Sequence, residues 1–167
     1  MGLLSFKGNA QEIATKKTNT EFDFSTIEKY RHSKSIGQIV SDYDNVFNSN
    51  QRKELSKIIF EYNKKTTRQI AVVTVDSISP YDDIHRFATD LARYWGVGTA
   101  EKDNGLVIVL CNPCRQIGIA TGTGTEKVLT NEICTKVIRE TIIPELKKGE
   151  FYSGIKYGVI ELIKYWK

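Results

Sequence analysis

Two apolar runs with almost no chain between them constrain the fold of this sequence more than any other feature. Residues 105–111 read Gly-Leu-Val-Ile-Val-Leu-Cys, residues 115–121 read Arg-Gln-Ile-Gly-Ile-Ala-Thr, and a turn at Asn112–Pro113 joins them. Apolar runs of this length are typical of buried strands. A parallel pair would need a crossover of roughly a dozen residues, so the two strands must form an antiparallel β-hairpin.

Strands and helices alternate on both sides of this hairpin. We predict strands over residues 36–41 and 68–76, the second of which is a β-branched run. Residues 50–65 carry apolar side chains at the spacing of an amphipathic helix, at Leu55, Ile58, Ile59 and Tyr62. A last helix is predicted over residues 151–166, with core-spaced Phe151, Ile155, Val159, Leu162 and Trp166.

Capping residues indicate the bounds of two further helices. Ser79 is a predicted N-cap with Pro80 at the first helical position, before an apolar stripe that begins at Ile84. Thr130 is predicted to cap a third helix, which stops before Pro144 because proline has no N–H to donate. The order strand, helix, strand, helix, hairpin, helix, helix predicts an α/β sandwich around a mixed four-stranded sheet.

Length and charge narrow the possible functions. The chain has 167 residues, of which 40% are hydrophobic and 26% charged, which suits one globular domain with a substantial core. Its net charge of +4 is spread along the sequence, and its short basic runs have no interleaved aromatic residues. We therefore predict no nucleic-acid binding. No apolar run approaches the roughly 20 residues that span a bilayer, so we predict no transmembrane segment.

The folded domain is predicted to cover residues 36–167, after an N-terminal stretch of different character. Residues 11–35 are polar and rich in Thr, Lys and Ser, which is typical of a mostly disordered lead. Gly8-Asn9-Ala10 resembles a signal-peptide cleavage site, although the apolar residues before it are few and lack a basic start. Residues 1–35 are therefore either a polar lead or the remnant of an export signal.

Acidic residues on glycine-containing turns flank the hairpin and are the best candidates for a site. Asp103 and Asn104 precede the first hairpin strand, and Glu126 follows the Gly122–Thr125 turn after the second. Antiparallel strands bring the end of one beside the start of the other, so Glu126 should lie near Asp103 and Asn104. Calcium binds six to eight carboxylate, amide, carbonyl and water oxygens. The pattern predicts a divalent-cation site, the alternative being a plain turn with a solvated acid.

Two other motifs carry possible chemistry. The amides of Gly122 and Gly124 are candidates for phosphate contact, although no P-loop Lys-Ser/Thr pair follows them. Cys111 and Cys114 have the spacing of a redox pair or half a zinc site. A reactive pair usually lies at a helix start, whereas a strand follows here and no second pair exists for zinc. We predict that these cysteines are not catalytic.

The order and spacing of these motifs resemble the TPM domain, a family named after a thylakoid-lumen protein, a photosystem-associated protein and an animal receptor-modulating protein. The motifs that carry the resemblance stand at Gly37–Phe47, Gln69–Val75, Trp95–Gly98, Asp103–Gly105 and Gly122–Glu126. Together they cover about residues 36–163. Thr123 and Thr125 replace the family's usual Tyr and Leu, Asn131 stands where an acid is common, and Asp44 stands where Ala is usual.

The resemblance implies a three-layer α/β/α sandwich and adds Asp42 to the metal ligands. Simple topology argues against Asp42, since a strand over residues 36–41 that runs parallel to residues 105–111 would leave Asp42 at the opposite edge of the sheet, beside Asp76. Several family members bind calcium on acidic loops, so we expect calcium, or else magnesium, as the cofactor.

The family also implies a role and a location. Some members serve as accessory factors for membrane protein complexes, and bacterial members are usually exported or membrane-attached. A plant member resembles an acid phosphatase in activity. We therefore expect a calcium-binding accessory domain in an extracytoplasmic location, periplasmic or membrane-associated. The alternative is a weak metal-dependent acid phosphatase.

Overall fold

The computed structural model describes residues 7–9 and 39–167. The strands are β1 (Lys7–Asn9), β2 (Val40–Asp42), β3 (Gln69–Val75), β4 (Gly105–Cys111) and β5 (Gln116–Thr121). The helices are α1 (Ser49–Thr66), α2 (Ile84–Trp95), α3 (Thr123–Glu126), α4 (Asn131–Val137), α5 (Ile143–Lys147) and α6 (Phe151–Tyr165), with a π-helical segment at Ile138–Ile142. Apart from β1, the predicted lead at residues 1–35 lies outside the described residues, as do residues 36–38 of the first predicted strand.

The strands form one mixed sheet in the order β1-β5-β4-β3-β2. β2, β3 and β4 run parallel to one another, whereas β4 and β5 are antiparallel, with Ile108 opposite Ile119. This confirms the predicted mixed sheet and its hairpin. The short strand β1 pairs in parallel with β5 and adds to the four predicted strands at that edge.

Helices cover both faces of the sheet, so the fold is the expected three-layer α/β/α sandwich. Leu106, Ile108 and Leu110 of β4 pack into the core beneath α1 and the C-terminal helices, whereas Val107 and Val109 pack beneath α2. Every residue of β4 is buried because both faces of the strand are covered. This explains why its sequence is a continuous apolar run and not an alternating one.

The start of α2 differs from the predicted one. The helix begins at Ile84, and the carboxylate of Asp83 accepts a hydrogen bond from the Arg86 N–H at 2.9 Å. Ser79–Pro80 lies in the turn before it. Aspartate caps a helix as well as serine does, so the observed N-cap is Asp83 and not the predicted Ser79. The apolar stripe that begins at Ile84 agrees with the prediction.

The helix that Thr130 caps also differs from the prediction, because the chain does not leave the helix before Pro144. It passes through the π-helical segment and continues as α5, with Pro144 in the first turn. Proline cannot donate a hydrogen bond to the carbonyl four residues earlier, and a wider π turn before it accommodates the missing bond. The continuation keeps Val137, Ile142 and Leu146 in one core.

Candidate functional site

A cavity of about 460 Å³ opens where α2 ends, β4 begins and β5 ends. The residues that line it are Thr89, Ala92, Arg93, Gly96, Val97, Gly98, Thr99, Ala100, Asp103, Gly105, Ala120, Thr121, Gly122 and Thr123. Three loops with sequence motifs therefore meet here: the glycine loop after α2, the acidic turn before β4 and the glycine turn after β5.

Close packing of backbone fixes one wall of the cavity. Gly98 has a φ of 100°, and a Cβ added to it would lie 2.7 Å from the backbone nitrogen of Gly105, so a larger residue does not fit there. The Gly98 N–H donates to Oε1 of Gln69 at 2.9 Å. The loop after α2 is thereby held against the first residues of β3 and β4.

Asp103 lies at the mouth of the cavity with its carboxylate already oriented. Its Oδ2 accepts hydrogen bonds from the Thr123 hydroxyl at 2.5 Å and from the Thr123 N–H at 3.0 Å. These bonds hold the pKa of Asp103 below its ordinary value, with a smaller contribution from the positive charge of Arg93. Asp103 is therefore an ionised, fixed oxygen donor on an exposed turn.

Asn104 has an architectural role. Its side chain is buried, Oδ1 accepts from the Thr99 N–H at 3.0 Å, and Nδ2 donates to the Thr67 carbonyl at 3.1 Å. Its backbone carbonyl accepts from the Gln69 N–H. Because its amide group joins the turn before β4 to two other loops, Asn104 supports the position of Asp103 and does not face the cavity as a ligand.

The glycine turn after β5 packs directly on the Asp103 loop. The Gly122 N–H donates to the Gly105 carbonyl at 2.9 Å, and the Gly124 N–H donates to the Asp103 carbonyl at 3.1 Å. A Cβ at Gly124 would collide with the Lys102 carbonyl, so glycine is required for this approach. Since both glycine amides donate within the protein, the predicted phosphate contact has no spare N–H at these two positions.

Glu126 ends α3 on the side of the sheet that α4 covers. Its Oε1 lies 3.5 Å from the Thr121 hydroxyl oxygen. Burial raises the pKa of Cys134 on α4 to about 12, and the charge of Glu126 adds to this effect. The hairpin does bring the two acidic loops together, but of the described residues that line the cavity Asp103 is the acid, and Glu126 is not among them.

Asp42 and Asp103 lie at opposite ends of the strands of the sheet. Because β2 and β4 both run parallel to β3, the C-terminal end of β2 and the N-terminal end of β4 are on opposite sides of the domain. The side chain of Asp42 is 1% exposed. Its carboxylate accepts hydrogen bonds from groups of Val46, Phe47, Arg52 and Thr74. Asp42 thus anchors the turn between β2 and α1 and does not share a site with Asp103.

Two further acids, Asp44 and Asp76, lie at the same end of the strands as Asp42, and the sequence had already placed Asp76 beside Asp42. Burial raises the pKa of Asp44, and the charges of Asp76 and Asp42 raise it further. Asp44 and Asp76 follow the ends of two parallel strands, the edge at which many α/β sheets bind ligands. Asp44 was recognised only as a departure from the family's usual Ala, although its place shortly after a predicted strand indicates this same end of the sheet. No set of three His, Cys, Asp or Glu side chains within the described part of the chain is arranged to hold a metal ion.

Cys111 and Cys114 form a disulfide at the end of β4 remote from the cavity. The bond closes the turn of the hairpin, and Cys134 is a buried thiol on α4. Within the described residues, no helix is long and apolar enough to cross a membrane.

Several solved structures resemble this chain. The NMR structure of the N-terminal domain of a protein from P. gingivalis is 27% identical, with a TM-score of 0.71, and the match covers 77% of this chain and 82% of that chain. The N-terminal domain of the cg2496 protein from Corynebacterium glutamicum is 16% identical, with a TM-score of 0.62 and coverages of 80% and 82%. The BA42 protein from the psychrophilic bacterium Bizionia argentinensis is 20% identical, with a TM-score of 0.61 and coverages of 71% and 80%. The last two likenesses concern the fold alone.

A family model described as the TPM domain matches residues 40–165. The matched region runs from the start of β2 to the end of α6 and includes the whole cavity. The comparison with curated proteins gives no match.

Proposed function

Because this chain belongs to the TPM domain family, we propose that it is a calcium-binding accessory domain whose cation is held at the cavity by Asp103. The observation that carries the proposal is the Asp103 carboxylate, which is ionised, oriented and faces the cavity. Its Oδ2 is occupied by the two hydrogen bonds from Thr123, which leaves Oδ1 for a cation.

The oxygen atoms around Asp103 fit a weakly held hard cation. The residues that line the cavity include four threonines, Thr89, Thr99, Thr121 and Thr123, and glycines of two loops. Calcium accepts such oxygens together with water, and its affinity follows the number of carboxylate charges. With one carboxylate we expect a dissociation constant on the order of 10⁻⁴–10⁻³ M. Magnesium retains several waters and binds through one or two carboxylates, so it is the second candidate.

An extracytoplasmic location accords with the hairpin disulfide. Bonds such as Cys111–Cys114 persist in oxidising compartments and are rare in the cytosol. We therefore propose that the domain is extracytoplasmic, in the periplasm or at a membrane surface, as the resemblance to the family implies. A membrane protein complex is the partner that this location and the accessory role favour.

A weak metal-dependent acid phosphatase is the second candidate function, and one observation favours it. Arg93 lines the same cavity as Asp103, so a cationic group is available to a phosphoryl oxygen. Its side chain is 78% exposed, and its guanidinium lies 3.8 Å from the Asp90 carboxylate, so the structure does not fix it as a clamp. Positioned charges supply most of the catalysis in phosphoryl transfer, which is why we prefer the accessory role.

Calorimetric titration of calcium into the wild type and Asp103→Asn tests this proposal. The substitution keeps the shape and removes the charge, so we expect the affinity to fall by about tenfold or more. The matched control is Asp82→Asn, which changes an exposed acid that does not line the cavity and should bind as the wild type does. Equal heats for the two variants, or no heat from the wild type, would contradict the proposal.

A further inference from the structure

A second concave surface lies between the edge strand β2 and helix α1. This β2 groove has a volume of about 540 Å³, an apolar floor of Ile39, Val40 and Phe60, and an edge formed by Arg52, Lys53 and Lys57. Phe60 is 45% exposed, an unusual position for a phenylalanine on a helix that otherwise buries its apolar face. The β2 groove takes no part in the cation site.

The charged residues that line the β2 groove are all positive. Of the described residues that line it, three are basic and none is acidic. Lys53 and Lys57 are exposed and form no ion pair with any residue of the described ranges, whereas Arg52 is held by Asp42. Two ammonium groups that have no ion pair among the described residues, beside exposed apolar surface, favour a partner that is both acidic and apolar.

The backbone of β2 offers hydrogen bonds at the same place. The Ile39 carbonyl accepts from the Val72 N–H at 2.9 Å, and the Tyr43 N–H donates to the Thr74 carbonyl at 3.1 Å. Since successive residues of a strand face opposite sides, Val40 and Asp42 direct their N–H and C=O groups away from β3. β2 is the last strand in the order of the described sheet, so these groups form a template for an added strand.

We propose that the β2 groove binds an extended, acidic peptide segment of a partner protein. The segment adds as a strand to β2, places one apolar side chain on Phe60, and directs its carboxylates to Lys53 and Lys57. A peptide accounts for the lysines, the phenylalanine and the outward backbone groups of β2 together. An anionic lipid surface would use the lysines alone.

A capped heptapeptide, Glu-Thr-Glu-Phe-Glu-Thr-Glu, is the probe for a first experiment with the full chain labelled with ¹⁵N. We expect its addition to shift the amide signals of Val40, Asp42 and the first turns of α1. The double substitution Lys53→Glu/Lys57→Glu should weaken binding about tenfold, because it reverses both rim charges. The matched control Lys136→Glu/Lys147→Glu makes the same change in net charge on exposed lysines that do not line the groove, and it should bind as the wild type does.

Two further probes separate strand addition from simple charge attraction. The same heptapeptide with alternate N-methylated amides cannot pair with β2, so it should lose most of the affinity. The heptapeptide with lysine in place of glutamate should not bind. Equal binding of the N-methylated probe, or equal weakening by the two double substitutions, overturns the proposal, as does absence of any binding at millimolar peptide.

Other occupants of the groove would give different results. Tight binding to phosphatidylglycerol vesicles that Lys53→Glu/Lys57→Glu abolishes, without peptide binding, would assign the groove to a membrane surface. A concentration-dependent dimer with signal changes confined to β2 would assign it to a second copy of this chain. Contacts from residues 10–38 to Val40 in the free protein would assign it to the chain itself. Each of these three results overturns the proposal.

Discussion

Asp42 and Asp103 are the same residue type in opposite surroundings, and those surroundings determine what each can do. The side chain of Asp42 is buried and accepts hydrogen bonds from four residues, so both of its carboxylate oxygens already have partners within the protein. Asp103 is exposed and one of its oxygens is held by Thr123, so its charge is oriented toward the cavity. Asp42 therefore stabilises the folded domain, whereas Asp103 is available to bind a ligand at the cavity.

The substitution Asp42→Asn tests this division of roles. It replaces a charged acceptor by an amide whose NH₂ takes the place of one oxygen and would therefore face the backbone N–H of either Val46 or Phe47. We expect the free energy of unfolding to fall by about 2 kcal/mol. Calcium affinity should not change, because Asp42 lies at the other edge of the sheet. Urea denaturation and calorimetry measure the two quantities. Unchanged stability, or lost calcium affinity, would show that Asp42 has been assigned the wrong role.

At the scale of helices and strands, the elements that depend on the spacing of apolar residues could be predicted from the sequence. β4 and β5 agree with the predicted hairpin because a short connection permits only one pairing. The start of α2 and the path through Pro144 were wrong, because both depend on which of several hydrogen-bonding options the chain uses. Aspartate at position 83 competes with serine at 79 for the cap, and local sequence does not decide between them.

The turn of the hairpin provides a prediction at this scale. We expect Cys111→Ala/Cys114→Ala to lower the free energy of unfolding by about 2 kcal/mol or less, since the disulfide closes a very short loop. Calcium affinity should be unchanged because the bond is remote from Asp103. Chemical reduction of the wild type provides a comparison without substitution. Loss of cation binding in either sample would mean that the cysteines contribute to the site.

At the scale of the whole molecule, the sheet separates two groups of acidic residues, as the simple topology predicted from the sequence indicated for Asp42 and Asp76. The parallel strands place Asp42, Asp44 and Asp76 at one edge and Asp103 at the other. The convergence of the loops that carry Asp103 and Glu126 could be predicted from the hairpin. The direction of each side chain could not, because it depends on partners such as Thr123 and Thr121 that are set by packing.

Catalysis of phosphate-ester hydrolysis would need all the groups of the cavity to act together, and we expect its rate to be low. Hydrolysis of a small aromatic phosphate should be far slower than the roughly 10 per second of a typical enzyme, since Arg93 is not fixed and no spare amide exists at Gly122 or Gly124. We expect any activity to be greatest at acid pH, as the resemblance to an acid phosphatase implies. The lowered pKa of Asp103 keeps its carboxylate ionised under these conditions, so a role for its charge is compatible with acid pH. Assays with calcium, with magnesium and with chelator measure it. Typical turnover that Asp103→Asn abolishes would favour the phosphatase.

A calcium titration followed by NMR on the ¹⁵N-labelled chain tests the cation site most directly, because it reports which loops respond. We predict saturable shifts of the amide signals of residues 97–105 and 121–126, with signals of residues 42–47 and 76 unchanged. Asp103→Asn should remove the shifts and Asp82→Asn should preserve them. Shifts centred on Asp44 and Asp76, with residues 97–105 silent, would place the cation at the opposite edge of the sheet and contradict the assignment to Asp103.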